Sequence, residues 1–166
     1  MNIKRIIKHL SIGHAAMRRT FPLAALNRIE RTIAEAEQTH AGQIRFAVEA
    51  VLEFKPLLAG QTARERAIEV FSNLRVWDTE HNNGVLVYLL LADRDVEIVA
   101  DRGIHVRLGQ VVWENVCQEM ESAFRQGKFE EGVIAGIQRV GAHLAQHYPH
   151  TGANKINELP DKPVLI

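Results

Sequence analysis

A three-layer α/β sandwich, with a central mixed sheet that contains a β-hairpin and is flanked by helices, is the fold class this sequence predicts. Three observations lead to it. Residues 84–92, GVLVYLLLA, are apolar at every other position and also between them, as in an inner strand covered by helices on both faces. A second strand pattern, VEIVAD at 96–101, follows after only Asp93, Arg94 and Asp95. So short a link makes the pair antiparallel, because a parallel return needs a crossover of about a dozen residues or more. A third strand pattern, at 43–52, is separated from 84–92 by a helical segment, which predicts a parallel, right-handed crossover.

Three segments divide the chain: a helical N-terminal extension over 1–38, the α/β domain over 39–148 and an extended tail over 149–166. Ile3, Ile6, Ile7, Leu10, Ala15 and Met17 recur near helical spacing with the cations mostly opposite, so the first helix is amphipathic and weakened at Gly13. Its simplest use is to pack its apolar side on the domain. Thr20 and Pro22 predict the cap and first turn of a second helix, which runs through Ile29 and Ile33 toward Gly42. In 43–52, Ile44, Phe46 and Val48 alternate with Arg45 and Glu49, a strand with one buried and one mixed face. Pro56 and Gly60 read as turn material. Thr62 and Glu65 form a capping box ahead of a stripe of Ala67, Val70, Phe71 and Leu74. Two final helices, from about Val106 to Arg125 and from Phe129 to Tyr148, are joined by Gly127 and Lys128 and should pack as antiparallel neighbours. The tail either stays free or docks through Val164, Leu165 and Ile166.

The 166 residues carry no net charge, so nothing global attracts nucleic acid, and no nucleic-acid partner is expected. One local bias exists: Lys4, Arg5, Lys8, Arg18 and Arg19 precede Pro22 without a single acid. This makes contact of residues 1–20 with an anionic membrane an open expectation. The lone Cys117 allows no disulfide framework. No apolar run is long enough for a bilayer span, and no secretory signal is evident, so a place in the cytoplasm or on the inner face of a membrane is expected.

Four aspartates surround the hairpin. Asp93 and Asp95 fall at its turn, and Asp78 and Asp101 at the other end, roughly 20 to 25 Å away at about 3.3 Å per residue. They cannot form one site. LLLADRD has the look of an Asp-x-Asp phosphotransferase motif, but Asp95 leads straight into a strand rather than a loop and helix, which favours plain turn chemistry. The other end is the better candidate. There Asp78, Asn82 and Asp101 supply oxygen donors of the kind hard cations use, with Glu80, His81 and His105 nearby. The structural alternative is that Asn82 and Asn83 shape a turn before Gly84 and that Asp101 caps a helix. His143 and His147 stand one helical turn apart without a third ligand, and no nucleophile elbow or Gly-rich phosphate loop is present.

In order along the chain stand Gly42-Gln43-Ile44, the NNGVL run at 82–86, the Asp93-Arg94 turn, Arg102-Gly103 at the end of the next strand, and the Phe124, Gly127, Phe129 junction. With these the sequence resembles a TPM domain over about residues 39–148. That family includes thylakoid-lumen proteins of photosystem II repair and many bacterial membrane-associated proteins. The resemblance implies an α/β sandwich, a divalent cation, usually calcium, near the acidic loops of some members, and an acid phosphatase activity claimed for plant relatives. After Gly103 this chain departs, reading Ile104, His105, Val106, Arg107, Leu108, Gly109 and Gln110 where relatives carry acids.

The functional expectation is a non-enzymatic interaction module beside a membrane or membrane-protein partner. Its surface would comprise Glu80, His81, Asn82, Asn83, Arg102 and His105. The enzymatic alternative is a phosphatase in which Asp78 and Asp101 hold calcium or magnesium; no other cofactor is expected.

Overall fold

The computed structural model describes residues 3–149 and 156–166. In chain order the elements are α1 (Ile3–Ser11), α2 (His14–Thr20), α3 (Leu23–Glu37), β1 (Gln43–Glu49), α4 (Phe54–Ala59), α5 (Ala63–Asn73), β2 (Gly84–Leu90), β3 (Asp95–Ala100), α6 (Arg102–Leu108), α7 (Gln110–Arg125), α8 (Phe129–His147) and β4 (Val164–Leu165). The strands form one mixed sheet in the order β3-β2-β1-β4. β1 and β2 are parallel, with Gln43 opposite Gly84 and Glu49 opposite Leu90, while β2 and β3 are antiparallel. The predicted parallel pairing of β1 with β2 and the predicted hairpin are both present.

Successive side chains of a strand point to opposite faces, so the sheet divides the apolar residues into two cores. On one face Ile44, Phe46, Val48, Val85, Val87, Leu89, Val96 and Ile98 pack against α3, α7 and α8 through residues such as Ile33, Trp113, Phe124 and Ile137. On the other, Ala47, Leu86, Tyr88, Leu90 and Val99 pack against Leu57 of α4 and Ala63, Ala67 and Val70 of α5. These are the three layers. Among the described residues no helix is long and apolar enough to cross a membrane.

Several local expectations change. The first helix breaks before Gly13, and Thr20 does not cap the next one: its hydroxyl donates to Ala16 O at 3.0 Å, within α2. β1 is buried on both faces apart from Arg45 and stops at Glu49. The segment around Pro56 is the short helix α4, where proline sits in the first turn and needs no amide donor, and Gly60 ends it in the left-handed region. The capping box is as expected, with Thr62 Oγ1 accepting from Glu65 N at 3.1 Å and Glu65 accepting from Thr62 N at 2.8 Å. The helix expected from Val106 starts earlier, at Arg102, and Gly109, at φ 74°, separates α6 from α7.

The tail docks. β4 runs parallel to β1, and Gln43 Oε1 accepts from Glu158 N and Leu159 N at 2.9 and 3.0 Å. Arg45 donates to Pro160 O and Lys162 O, so side chains of β1 hold a segment more than a hundred residues away.

The α5 face of the sheet also contains a polar network. Glu49, 3% exposed, accepts from Tyr88 Oη at 2.7 Å and from Arg66 Nε at 2.8 Å. Burial and the neighbouring carboxylate push the Tyr88 phenol well above its usual range, and hydrogen bonding to Glu49 raises Arg66, so the guanidinium stays charged and the phenol neutral. Replacing Glu49 by alanine leaves Arg66 and Tyr88 without their acceptor. Glu49→Ala should therefore lower the unfolding free energy by about 3 kcal/mol in urea titration, whereas a loss under about 1 kcal/mol would mean water replaces the carboxylate.

Candidate functional site

The end of the sheet where β1 and β2 begin and β3 finishes gathers the residues singled out by the sequence. The chain leaves α5 through Arg75, at φ 52°, and buried Val76, whose carbonyl lies where any Cβ on Gly84 would sit. Only glycine permits that crossing. Between them, buried Thr79 accepts through Oγ1 from Asn83 N at 3.0 Å, and Asn82 takes the left-handed conformation, φ 49°, that asparagine tolerates. Asn83 then ties the loop to the start of β1: its Nδ2 donates to Ala41 O at 2.7 Å, and its carbonyl accepts from Gln43 N at 3.0 Å.

Asp101 faces this loop across the strand end, its amide donating to Gly84 O at 2.9 Å. Its carboxylate caps α6 by accepting from Arg102 N at 2.6 Å, the capping role that the sequence left open. Gly103 meets the loop directly, since a Cβ there would stand 2.6 Å from Asn82 O and 3.3 Å from His81 O. The phenol of Tyr148, at the end of α8, donates to Gly103 O, and the Arg107 guanidinium lies 4.6 Å above the Tyr148 ring while donating to His147 O. Glu80 N donates to Glu158 of the tail at 2.8 Å. Loop, helix start, α8 end and tail thus brace one another.

The side chains of Asp78, Glu80, His81, Asn82, Arg102 and His105 are exposed on this frame, while those of Asn83 and Asp101 are buried. Asn83 Oδ1 and Asp101 Oδ2 are both buried without a hydrogen-bond partner. Among the described residues no three His, Cys, Asp or Glu side chains are grouped to hold a metal ion. Tyr148, Arg107 and Glu158 had no sequence signal pointing to this end. Their participation comes from the return of α8 and of the tail to the start of β1.

At the opposite end, 620 Å³ of cleft is lined by Lys8, Arg94 and Arg125 with Asp93, Asp95 and Glu121. Arg94, at φ 55°, occupies the turn, and Asp95 opens β3 directly, which keeps the Asp-x-Asp pattern a turn. Asp93 has a further role: its Oδ2 receives Arg5 Nε at 2.7 Å and lies 3.3 Å from His9 Nε2, pinning α1. In α7, burial raises the Cys117 thiol to about 12, so it is protonated and unreactive.

The TPM domain family model matches residues 18–143. This chain belongs to the TPM domain family. The match takes in α3, whose Ile29 and Ile33 are part of the core. The BA42 protein of the psychrophilic bacterium Bizionia argentinensis, solved by NMR, is 29% identical, with a TM-score of 0.75 over 86% of this chain and 93% of that one. The N-terminal domain of a protein from P. gingivalis, also solved by NMR, is 18% identical with a TM-score of 0.59, over 76% of this chain and 79% of that one, and so shares the fold. No curated protein sequence matches this TPM domain.

Asp95 is raised to about 6, first by burial and then by Glu97, Glu121 and Asp93. In the unfolded chain it ionises near 4, so folding loses stability as pH rises through that interval. Asp95→Asn should raise the melting temperature at about pH 8, with the gain shrinking as the pH falls toward about 4. A gain equal at both pH values would show that charge is not its cause.

Proposed function

We propose that this TPM domain is a non-enzymatic interaction module that works beside a membrane or a membrane-protein partner, and that it recognises the partner through loop 78–84 and segment 101–105. The observation that supports this most is the exposure of large apolar side chains beside polar ones on a braced backbone. Trp77 is 50% and Val106 84% exposed, next to exposed Glu80, His81, Asn82, Arg102 and His105. Tryptophan and arginine on a rigid frame are the side chains that most often carry binding energy, because they bury much area with little ordering cost. The resemblance to membrane-associated relatives supports the location beside a membrane.

A second reading, a divalent-metal-dependent enzyme of the acid phosphatase kind, draws on the two buried oxygens without partners. Asp101 Oδ2 and Asn83 Oδ1 are hard donors, and with Asp78 they fit calcium or magnesium in kind. Such an ion, when bound, would polarise a phosphate oxygen. Arg102, exposed on α6, would offer the phosphate positive charge, and exposed His105 a hydrogen bond.

Photocrosslinking residues placed at His81 and at Arg102 in native cells separate these readings from chance contact, with exposed Arg139 of α8 as the control position. Both site positions should yield the same discrete adduct, weakened at least tenfold by Trp77→Ala, and position 139 should not. Adducts that are the same from all three positions would remove the interaction reading. Calorimetric titration with Ca²⁺ and Mg²⁺ addresses the other: heat in the wild type that disappears in Asp101→Ala supports the metal, and no wild-type heat ends it.

A further inference from the structure

The first helix packs inside out. Arg5 and His9 point at the domain and are held there by polar contacts: Arg5 to Asp93 Oδ2 and Gln61 O, each at 2.7 Å, and His9 Nδ1 accepting from Leu52 N at 3.1 Å. Ile6 alone of its large apolar residues packs, partly buried, against the core that α4 and α5 cover. Ile3, Ile7 and Leu10, one stripe at helical spacing, are 60 to 70% exposed. The sequence reading, in which the apolar side packs on the domain, is reversed.

The contacts of Arg5 with Gln61 and of His9 with Leu52 lay α1 along the segment that carries α4. There Phe54 and Leu58, four residues apart on one face, are exposed as well. Lys4 and Lys8 of α1 and Lys55 of α4, on the same two helices as these apolar groups, are exposed too. No acid occurs before Glu30; of the acids that come near, Asp93 is paired with Arg5, Glu53 precedes Phe54, and Asp95 and Glu121 line the cleft beside Lys8 together with Arg94 and Arg125.

We propose that α1 and α4 together form a lipid-docking face that seats the domain on an anionic bilayer surface. Large aliphatic and aromatic side chains together with lysines match the boundary between acyl chains and acidic headgroups, where both parts are satisfied at once. A second copy of this chain is the poorer occupant, because a two-fold contact would set Lys4 and Lys8 against their own equivalents. The face lies at the hairpin-turn end of the sheet, away from loop 78–84, so it stands independently of the recognition surface proposed above.

Sedimentation of the full chain with phosphatidylglycerol-containing vesicles, and with phosphatidylcholine vesicles as the neutral control, tests this. The wild type should pellet with the anionic vesicles only and be released as salt rises. Ile7→Ser with Leu10→Ser should lower the partition coefficient at least tenfold while the unfolding midpoint stays put, since both side chains are exposed. Phe54→Ser gives an independent reading on α4, unaffected by any fraying of α1, and should also weaken binding. Failure of the wild type to pellet, or pelleting unchanged in both variants, overturns the proposal. So does a concentration-dependent dimer in analytical ultracentrifugation that Ile7→Ser with Leu10→Ser dissociates, which would assign the face to a second copy.

Discussion

Everything in this molecule is arranged about the burial of β2. Each of its seven residues is buried, its backbone is paired on one side with β1 and on the other with β3, and its side chains enter both cores alternately. A strand so placed must be apolar throughout, and it must be covered by helices on both faces to keep its neighbours dry. That constraint sets the layers. It also sets the distance between the two ends, since seven residues at about 3.3 Å each separate the Gly84 end from the hairpin turn by roughly 20 Å.

The two ends are finished by polar contacts from elements distant in the chain. At the Gly84 end, Asn83 binds the start of β1, Glu158 binds the loop amide of Glu80, and Tyr148 binds Gly103. At the turn end, Asp93 takes Arg5 and His9. Of these side chains Asn83 and His9 are buried, and buried polar groups are costly unless partnered, so their contacts define one arrangement more sharply than apolar packing would. The consequence at α1 is unusual: polar residues provide the attachment and the apolar stripe is left facing outward. The proposed recognition surface and the proposed lipid-docking face lie at opposite ends of one sheet.

The TPM family assignment narrows the fold far more than the chemistry. A carboxylate with one oxygen on a helix amide and the other buried without a partner, as in Asp101, serves equally the structure of a cap and the ligand set of a cation. Among the residues after Gly103, Arg107 is used structurally, since it covers the Tyr148 ring and reaches the end of α8.

By itself the sequence determined the sandwich, the parallel and antiparallel pairings, the capping box at Thr62 and the separation of the four aspartates into two ends. These follow from short-range rules: the period of side-chain alternation, the length of a connection and the chemistry of a turn. The short helices α4 and α6 were harder to read, because six or seven residues give too few repeats for a helical period to stand out from turn chemistry. Only the tertiary structure decided which side of α1 faces the domain, that the tail enters the sheet beside β1, and that Tyr148, Arg107 and Glu158 join the loop end. Each of those outcomes depends on a partner more than forty residues away, such as Asp93 for Arg5 or Gln43 for the tail, and no local pattern encodes a meeting at that range.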